Sequence, residues 1–214
     1  MRENPQYAGG GLAWAADLLR AHPWATMVSN GAGGAGPVVS HYPFLVESLT
    51  VGGDAADDLV IVSHVGRPDE RLHRLGEQEL CVVVYGPNGY ISPSWYEVPV
   101  AVPTWNFATA HLYGVPEILS DAENLEVLDA LVARFEAPLP NPFLMRGTLE
   151  NAEYAERIVH GTVGFRMRVT RALTKEKLSQ DKPTPVVERI VAALEAPGPY
   201  ENPQLAARMR DVRR

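Results

Sequence analysis

Aromatic and short polar side chains are concentrated in one stretch of this chain, between residues 86 and 107. Two of the four Trp lie there, in Tyr90-Ile91-Ser92-Pro93-Ser94-Trp95-Tyr96 and in Val102-Pro103-Thr104-Trp105-Asn106-Phe107. Aromatic rings give flat contact surfaces, hydroxyl and amide groups form hydrogen bonds at fixed places, and prolines restrict the backbone that carries them. This combination favours a planar ligand with a polar rim. Burial in a core or a dimer interface is the alternative interpretation.

Histidines form a second candidate set. They are far apart in sequence and have no metal-binding spacing, so no metal site is predicted. His64 and Arg67, in Ser63-His64-Val65-Gly66-Arg67, suit an anionic ligand, because Arg binds a phosphate through two parallel hydrogen bonds. A surface Arg after a strand explains the same spacing equally well. The set comprises His41, His64, His73, His111 and His160.

The segment Lys175–Lys182 is the third candidate, since it mixes ammonium groups with Ser and Gln. It is able to close over a phosphate, although its composition favours an ordinary charged turn. The sequence contains no G-x-S-x-G motif and no carboxylate pair with the spacing of an acid–base couple. A cofactor would therefore supply the chemistry of any reaction catalysed by this chain.

The composition predicts one globular domain over residues 1–214, with a core at about 12–195 and a frayed basic tail at 196–214. Without an apolar run of about 18 residues or an apolar N-terminal segment, no membrane span is predicted and a cytoplasmic location is expected. The net charge of −7 does not favour DNA binding. The single cysteine, Cys81, lies in an apolar run and is interpreted as a buried small hydrophobic residue.

Periodicity predicts an α+β fold with an antiparallel sheet, because strands predominate and helices do not alternate with them. The Gly-rich residues 30–36 lack the Lys-Ser or Lys-Thr of a phosphate-binding loop and are predicted as a hairpin loop. Helices are predicted at 11–21, after the capping residue Ser120, at 151–157 and at 185–194. Strands are predicted at 24–29, 37–46, 59–65, 80–85, 159–170 and, as one long bent strand, 105–119.

Together the two aromatic strings and Lys177-Leu178-Ser179-Gln180 resemble the PaiB family, FMN-binding proteins described as negative transcriptional regulators. Further matches are Ala25-Thr26-Met27-Val28, Ser40-His41-Tyr42-Pro43-Phe44, and Ser63-His64-Val65 ahead of Arg67. They follow the family order from about residue 12 to residue 195. The chain is accordingly identified as a divergent member of this family.

This resemblance implies a split β-barrel of the flavin-reductase and pyridoxamine-phosphate-oxidase kind with peripheral helices, FMN as cofactor, and a homodimer with sites at the subunit interface. Arg67 and Lys177 are the candidates for charge, and Trp95 or Trp105 for packing on the ring. The residues carried over as flavin contacts are Ser40, His41, Pro43, His64, Arg67, Tyr90, Ser92, Trp95, Trp105, Asn106, Lys177, Ser179 and Gln180.

The chain departs from the family in its tail, where Asp181-Lys182 replaces Asn-Arg and is expected to weaken the binding of the FMN phosphate. Three functions stay open. The first is the FMN-binding regulator, although no helix-turn-helix pattern is present. The second is a flavin-dependent oxidoreductase whose small-molecule substrate stacks on Trp95 or Trp105. The third is a haem-binding barrel with His41, His64 or His111 as axial ligand.

Overall fold

Two antiparallel sheets form the body of the protein in this computed structural model, which describes residues 1–2, 4–32, 35–52 and 56–212. The strands are β1 Trp24–Asn30, β2 Pro37–Pro43, β3 Leu45–Thr50, β4 Asp58–Gly66, β5 Leu80–Ile91, β6 Thr104–Gly114, β7 Pro116–Ile118, β8 Thr162–Arg168 and β9 Arg171–Lys177. The helices are α1 Leu12–Ala21, α2 Arg67–His73, α3 Asp121–Glu136, α4 Leu149–Ile158, α5 Thr184–Glu195 and α6 Pro203–Asp211.

Sheet A has the strand order β2-β1-β5-β6-β9, and sheet B has the order β3-β4-β8-β7. All the strand pairs within them are antiparallel. The predicted antiparallel α+β split barrel is therefore confirmed. The Gly-rich segment joins β1 to β2 as the predicted hairpin, although Gly33 and Gly34 lie outside the described residues.

The main core lies between the two sheets, and α1 packs against it. Alternation along β1 points Ala25 and Met27 into this core, because successive strand residues face opposite sides. Ala15 and Leu19 of α1 are fully buried there. On the other side of sheet B, α3 begins at the capping box predicted at Ser120, whose side chain accepts a hydrogen bond from the Glu123 amide.

Three strand predictions need correction, two because the segment divides into two strands and one at its first residues. Residues 37–46 form two strands in different sheets, separated at Phe44. Residues 105–119 likewise divide into β6 and β7, which belong to different sheets. At this corner a Cβ on Gly114 would lie 2.3 Å from the Arg168 carbonyl oxygen, so only glycine allows the close approach. The first residues of 159–170 form a 3-10 turn, Val159–Gly161, ahead of β8.

The prediction of a frayed tail is wrong for the last helix. Leu205 and Met209 of α6 are fully buried in a second core with Ile91 of β5 and Leu178. The apolar residues of α6 recur at helical spacing, but the arginines between them make the segment look like a charged tail. The last two residues, 213–214, lie outside the described part of the chain.

The segment predicted as a charged turn begins as a strand, because β9 pairs with β6 along residues 171–177. Its other edge is covered by the N-terminal segment. Ala8 forms a bridge to Lys175, the Gly9 amide donates to the Thr174 carbonyl at 3.4 Å, and the Thr174 hydroxyl donates to the Gly10 carbonyl at 2.8 Å. Of the helices in the described residues, none has the length and apolar character needed to cross a membrane.

Candidate functional site

Three of the predicted flavin contacts bind one another or their own backbone and hold the C-terminal segment in place. Asn106 is fully buried, and its amide donates to the Ser179 hydroxyl at 3.0 Å. Ser179 is buried in the left-handed region at φ 62°. The Gln180 side chain folds back to accept from the Leu178 amide at 2.7 Å. These contacts give the tail motif an architectural role within one subunit.

Ser40 belongs to a partly buried set of hydrogen bonds that we call the His73 network. Its hydroxyl donates to the Asp69 carboxylate at 2.8 Å and lies 3.0 Å from Nε2 of the fully buried His73. Nδ1 of His73 lies 2.8 Å from the Ser29 hydroxyl, and the Tyr42 hydroxyl donates to Asp69 at 2.7 Å. Hydrogen bonds from Tyr42 and then Ser40 hold the pKa of Asp69 below its usual range. The network joins β1, β2 and α2.

His64 lies near the end of β4, and Arg67 is the first residue of α2. Burial lowers the pKa of His64, and its Nδ1 is buried without a hydrogen-bond partner among the described atoms. The Arg67 guanidinium donates to the carbonyl oxygens of His160 at 3.2 Å and Thr162 at 3.4 Å. The guanidinium also lies 3.7 Å from the Glu70 carboxylate, so part of its donor capacity and charge is already used. The buried His64 nitrogen has unused hydrogen-bonding capacity.

The outer face of sheet A is the side turned away from the main core, and it is open and rich in aromatic and β-branched residues. Along this face Trp24, Val39, Tyr85 and Trp105 are 63%, 53%, 55% and 51% exposed. Five predicted contacts share the face by strand alternation and register. These five are His41, Pro43, Tyr90, Trp105 and Lys177.

His41 and Trp105 occupy distant parts of that face. In register, His41 lies opposite Thr26, Thr26 opposite Val83, and Val83 opposite His111. Three strand spacings correspond to about 14 Å, and the six residues from His111 back to Trp105 add about 20 Å along the strand. A single ligand of FMN size does not reach from one to the other within one subunit.

A cavity of about 480 Å³ lies between α5 and α6, but it is remote from the predicted contacts. A second cavity of about 420 Å³ borders the outer face and includes two of them. We call this second one the aromatic cavity. It is lined by Gly89, Tyr90, Trp105, Leu194, Pro199, Tyr200, Glu201 and Asn202.

Inclined rings form the wall of the aromatic cavity. The centroids of Tyr90 and Tyr200 lie 5.5 Å apart at 39°, and those of Tyr90 and Trp105 lie 6.4 Å apart at 62°. Trp95 contacts Tyr200 edge-to-face, with the ring centroids 5.9 Å apart. Ser92 caps the short turn Pro93–Trp95: its hydroxyl accepts from the Ser94 amide at 3.2 Å and lies 2.7 Å from the Ser94 hydroxyl. Of the predicted aromatic contacts, Tyr90 and Trp105 line this cavity, and Trp95 contacts it only through Tyr200.

Sequence reasoning missed the far side of this cavity, which comes from the connection between α5 and α6. Tyr200 was the available signal, because it is the only aromatic residue after Phe165. Its position in a Pro-Gly-rich stretch suggested a frayed tail instead. The substituted Asp181 lies on another side, where it interacts with the Tyr7 hydroxyl and lies 3.7 Å from the Lys182 ammonium.

Comparison with known proteins gives the family. The protein-family model described as "Putative FMN-binding domain" matches residues 1–171 of the chain. The chain is 29% identical over 201 residues to the Bacillus subtilis protein "Protease synthase and sporulation protein PAI 2", covering 91% of this chain and 89% of that one. It belongs to this PaiB-like family of FMN-binding proteins, as the sequence predicted, and FMN is the family's cofactor.

Further relatives extend the picture. An uncharacterized Saccharomyces cerevisiae protein, YKL070W, is 28% identical over 134 residues, covering 59% of this chain and 76% of that one. A Mycobacterium smegmatis structure described as an FAD and heme binding protein superposes with TM-score 0.53 at 20% identity, covering 87% and 80% of the two chains. A conserved hypothetical protein of Mycobacterium tuberculosis, Rv2991, gives TM-score 0.53 at 11% identity, covering 86% and 94%. At these identities the two structures establish the fold.

The residues present fit FMN. Its planar ring needs an apolar or aromatic surface, which the half-exposed Trp105 and Tyr85 provide on the outer face of sheet A. The polar edge of the ring needs hydrogen-bonding atoms without partners, and Nδ1 of His64 is one, although it is buried on β4 of sheet B and would have to be combined with this face across two subunits. The phosphate needs positive charge, which Arg67 and Lys177 carry.

Proposed function

We propose that this protein is a homodimeric FMN-dependent oxidoreductase that acts on a small molecule. The observation that carries the proposal is the aromatic cavity of about 420 Å³ beside the open outer face of sheet A. A cavity of this size suits a substrate, and its walls continue into the residues predicted to contact the flavin.

FMN, when bound, supplies the hydride or single-electron transfer for which the side chains here have no equivalent. The chain's own contribution is to bind and orient. Trp105 and Tyr90 would hold the ring side of the site, Arg67 or Lys177 the phosphate, and Nδ1 of His64 a polar atom of the cofactor. The neutral form of His64, favoured by its burial, allows Nδ1 to accept or donate according to the tautomer.

A homodimer explains why the predicted contacts are separated in one subunit. His41 lies at one end of the outer face and Trp105 at the other, so a second subunit packed on this face would bring the two kinds of contact together. The exposed Trp24, Val39 and Tyr85 are the apolar surface that such packing would bury.

Transcriptional regulation is the second candidate, supported by the name of the Bacillus subtilis relative, which refers to protease synthesis and sporulation. The surface of this chain supports it poorly. Arg208 and Arg210 of the basic tail are paired with Glu176 and Glu195, so their charge is neutralised locally. A gel shift with genomic fragments at physiological salt tests this candidate, and a tight, sequence-specific shift would favour it over the enzyme.

Flavin retention tests the site assignment. We expect Trp105→Ala and Lys177→Ala to lower the visible flavin absorbance that survives a desalting column, with an unchanged far-ultraviolet circular dichroism spectrum. Tyr154→Ala is the control, since it removes an exposed aromatic ring from α4. Full FMN occupancy in both variants would refute the assignment of these residues. A wild-type protein that binds no added FMN would refute the proposed function itself.

A further inference from the structure

The aromatic cavity has a charge pattern that the flavin does not explain. Glu201 is the single ionisable side chain other than Tyr90 and Tyr200 among its described lining residues, and it forms no ion pair with a described residue. Lys177 and Arg189 are not among the lining residues. The described lining therefore carries one carboxylate and no cationic side chain.

Its rings add to that character. An aromatic face carries negative potential and attracts an ammonium group placed over it, most strongly when several rings surround the cation. Tyr90 is tilted by 39° from Tyr200 and makes an edge-to-face contact with Trp105 at 62°, so the three rings are not stacked on one another. Aromatic rings beside a carboxylate favour a cation over an anion.

The cavity is also held in shape before any ligand binds. Asn88 joins its two sides, because its side chain accepts from the Trp105 indole at 3.2 Å and its carbonyl accepts from the Asn202 amide at 2.9 Å. Asn202 in turn caps α6 by accepting from the Leu205 amide at 3.0 Å. Gly89 permits this approach, since a Cβ there would lie 3.0 Å from Leu205 and 3.3 Å from Asn202. Such preorganisation favours affinity.

We propose that the aromatic cavity binds an organic cation, an alkylammonium or N-methylated ammonium group, as the second ligand of the flavin site. The proposal rests on the proposed function for its role as substrate, but the binding itself is independent of FMN. Residues 194 and 199–202 lie beyond the part matched by the family model, which ends at residue 171. One side of the cavity thus comes from residues outside the matched domain.

Choline and its uncharged carbon analogue, 3,3-dimethyl-1-butanol, are the matched probes, titrated calorimetrically into the protein as purified. We expect choline to bind and the uncharged analogue to bind at least about 10-fold more weakly, since the two differ chiefly in charge. Equal binding of the two, or binding of neither, would overturn the proposal.

Variants assign the effect to the cavity. Glu201→Gln and Tyr200→Leu should each weaken choline binding by about 5-fold or more, whereas Tyr200→Phe, which keeps the ring face, should bind as the wild type does. Glu150→Gln on α4 is the charge control. Unchanged affinity in Glu201→Gln and Tyr200→Leu would place choline elsewhere and overturn the proposal.

The flavin spectrum of the same samples separates the two hypotheses. If the protein binds choline but takes up no FMN, the cation site is supported and the proposed flavin function is refuted. If it holds FMN but does not distinguish choline from its analogue, the flavin function is supported and the cation site is refuted.

Discussion

His73, which the sequence predicted only as one of a set of histidines, links two strands through hydrogen bonds. Both of its ring nitrogens are bonded inside the protein, to Ser29 at 2.8 Å and Ser40 at 3.0 Å, and no surface of the ring is exposed. Burial lowers its pKa, and the Asp69 carboxylate opposes part of that effect. His73 is therefore held neutral, as a link between β1 and β2.

This neutral state makes stability depend on pH. In the unfolded chain the pKa of His73 returns to its ordinary value near 6.5. Just below that pH, His73 is therefore protonated in the unfolded state but still neutral in the folded state. The free energy of unfolding should thus be fully maintained above about pH 6.5 and should fall as the pH drops through the interval below it. Urea unfolding curves measured between pH 7.5 and pH 5 give the slope.

The His73→Ala variant should be less stable by about 2–4 kcal/mol at pH 7.5 and should show a shallower slope, since His64 and His111 still contribute. Leu72→Ala, at an exposed neighbouring position, should keep both values. An undiminished slope in His73→Ala would assign the acid sensitivity to the other histidines.

At the scale of single residues, the sequence identified which residues matter better than it identified the side of the strand on which each one lies. Trp105 and Asn106 are neighbours in one family string and were both predicted as flavin contacts. One is half exposed on the outer face and the other is fully buried against Ser179. The alternation of a strand separates such neighbours, but only after the strand's start at Thr104 is known.

At the scale of the elements, α6 gives the sharpest test. The composition of the tail predicts a frayed segment, whereas the structure buries one side of this helix. Leu205→Ala should cost about 2–4 kcal/mol of unfolding free energy, as expected for a fully buried leucine. Gln204→Ala, on the exposed side of the same helix, should cost less than about 0.5 kcal/mol. Urea denaturation measures both. Equal, negligible effects would mean that α6 is not packed in solution.

Local pattern sufficed for α1, for β4 and for the capping box at Ser120, since each depends on residues within one turn or one strand. It failed where distant partners decide. β9 carries Arg171, Lys175, Glu176 and Lys177, which by composition resemble a turn. Pairing with β6 and burial of Glu176 against Arg208 make it a strand. No window of sequence contains those partners.

On the scale of the whole molecule, the open outer face of sheet A predicts the state of association. If the homodimer packs there, Val39→Glu and Tyr85→Glu should give monomers, because each places a charge where an apolar side chain would be buried. These monomers should also retain less FMN. Analytical ultracentrifugation and the flavin spectrum provide the two measurements.

Leu149→Glu is the matched control, since Leu149 is 78% exposed on α4, away from sheet A. A wild-type monomer, or a dimer unaffected by either substitution on the outer face, would contradict this arrangement of subunits.

The N-terminal segment that lies along β9 has a protective consequence. A strand at the end of a sheet offers unpaired amide and carbonyl groups, which readily recruit strands from other molecules. Ala8, Gly9 and Gly10 occupy part of that position through their contacts with Thr174 and Lys175. A chain shortened by its first ten residues would keep all the residues proposed to contact the flavin yet expose this edge, so aggregation rather than lost FMN binding should be its principal defect.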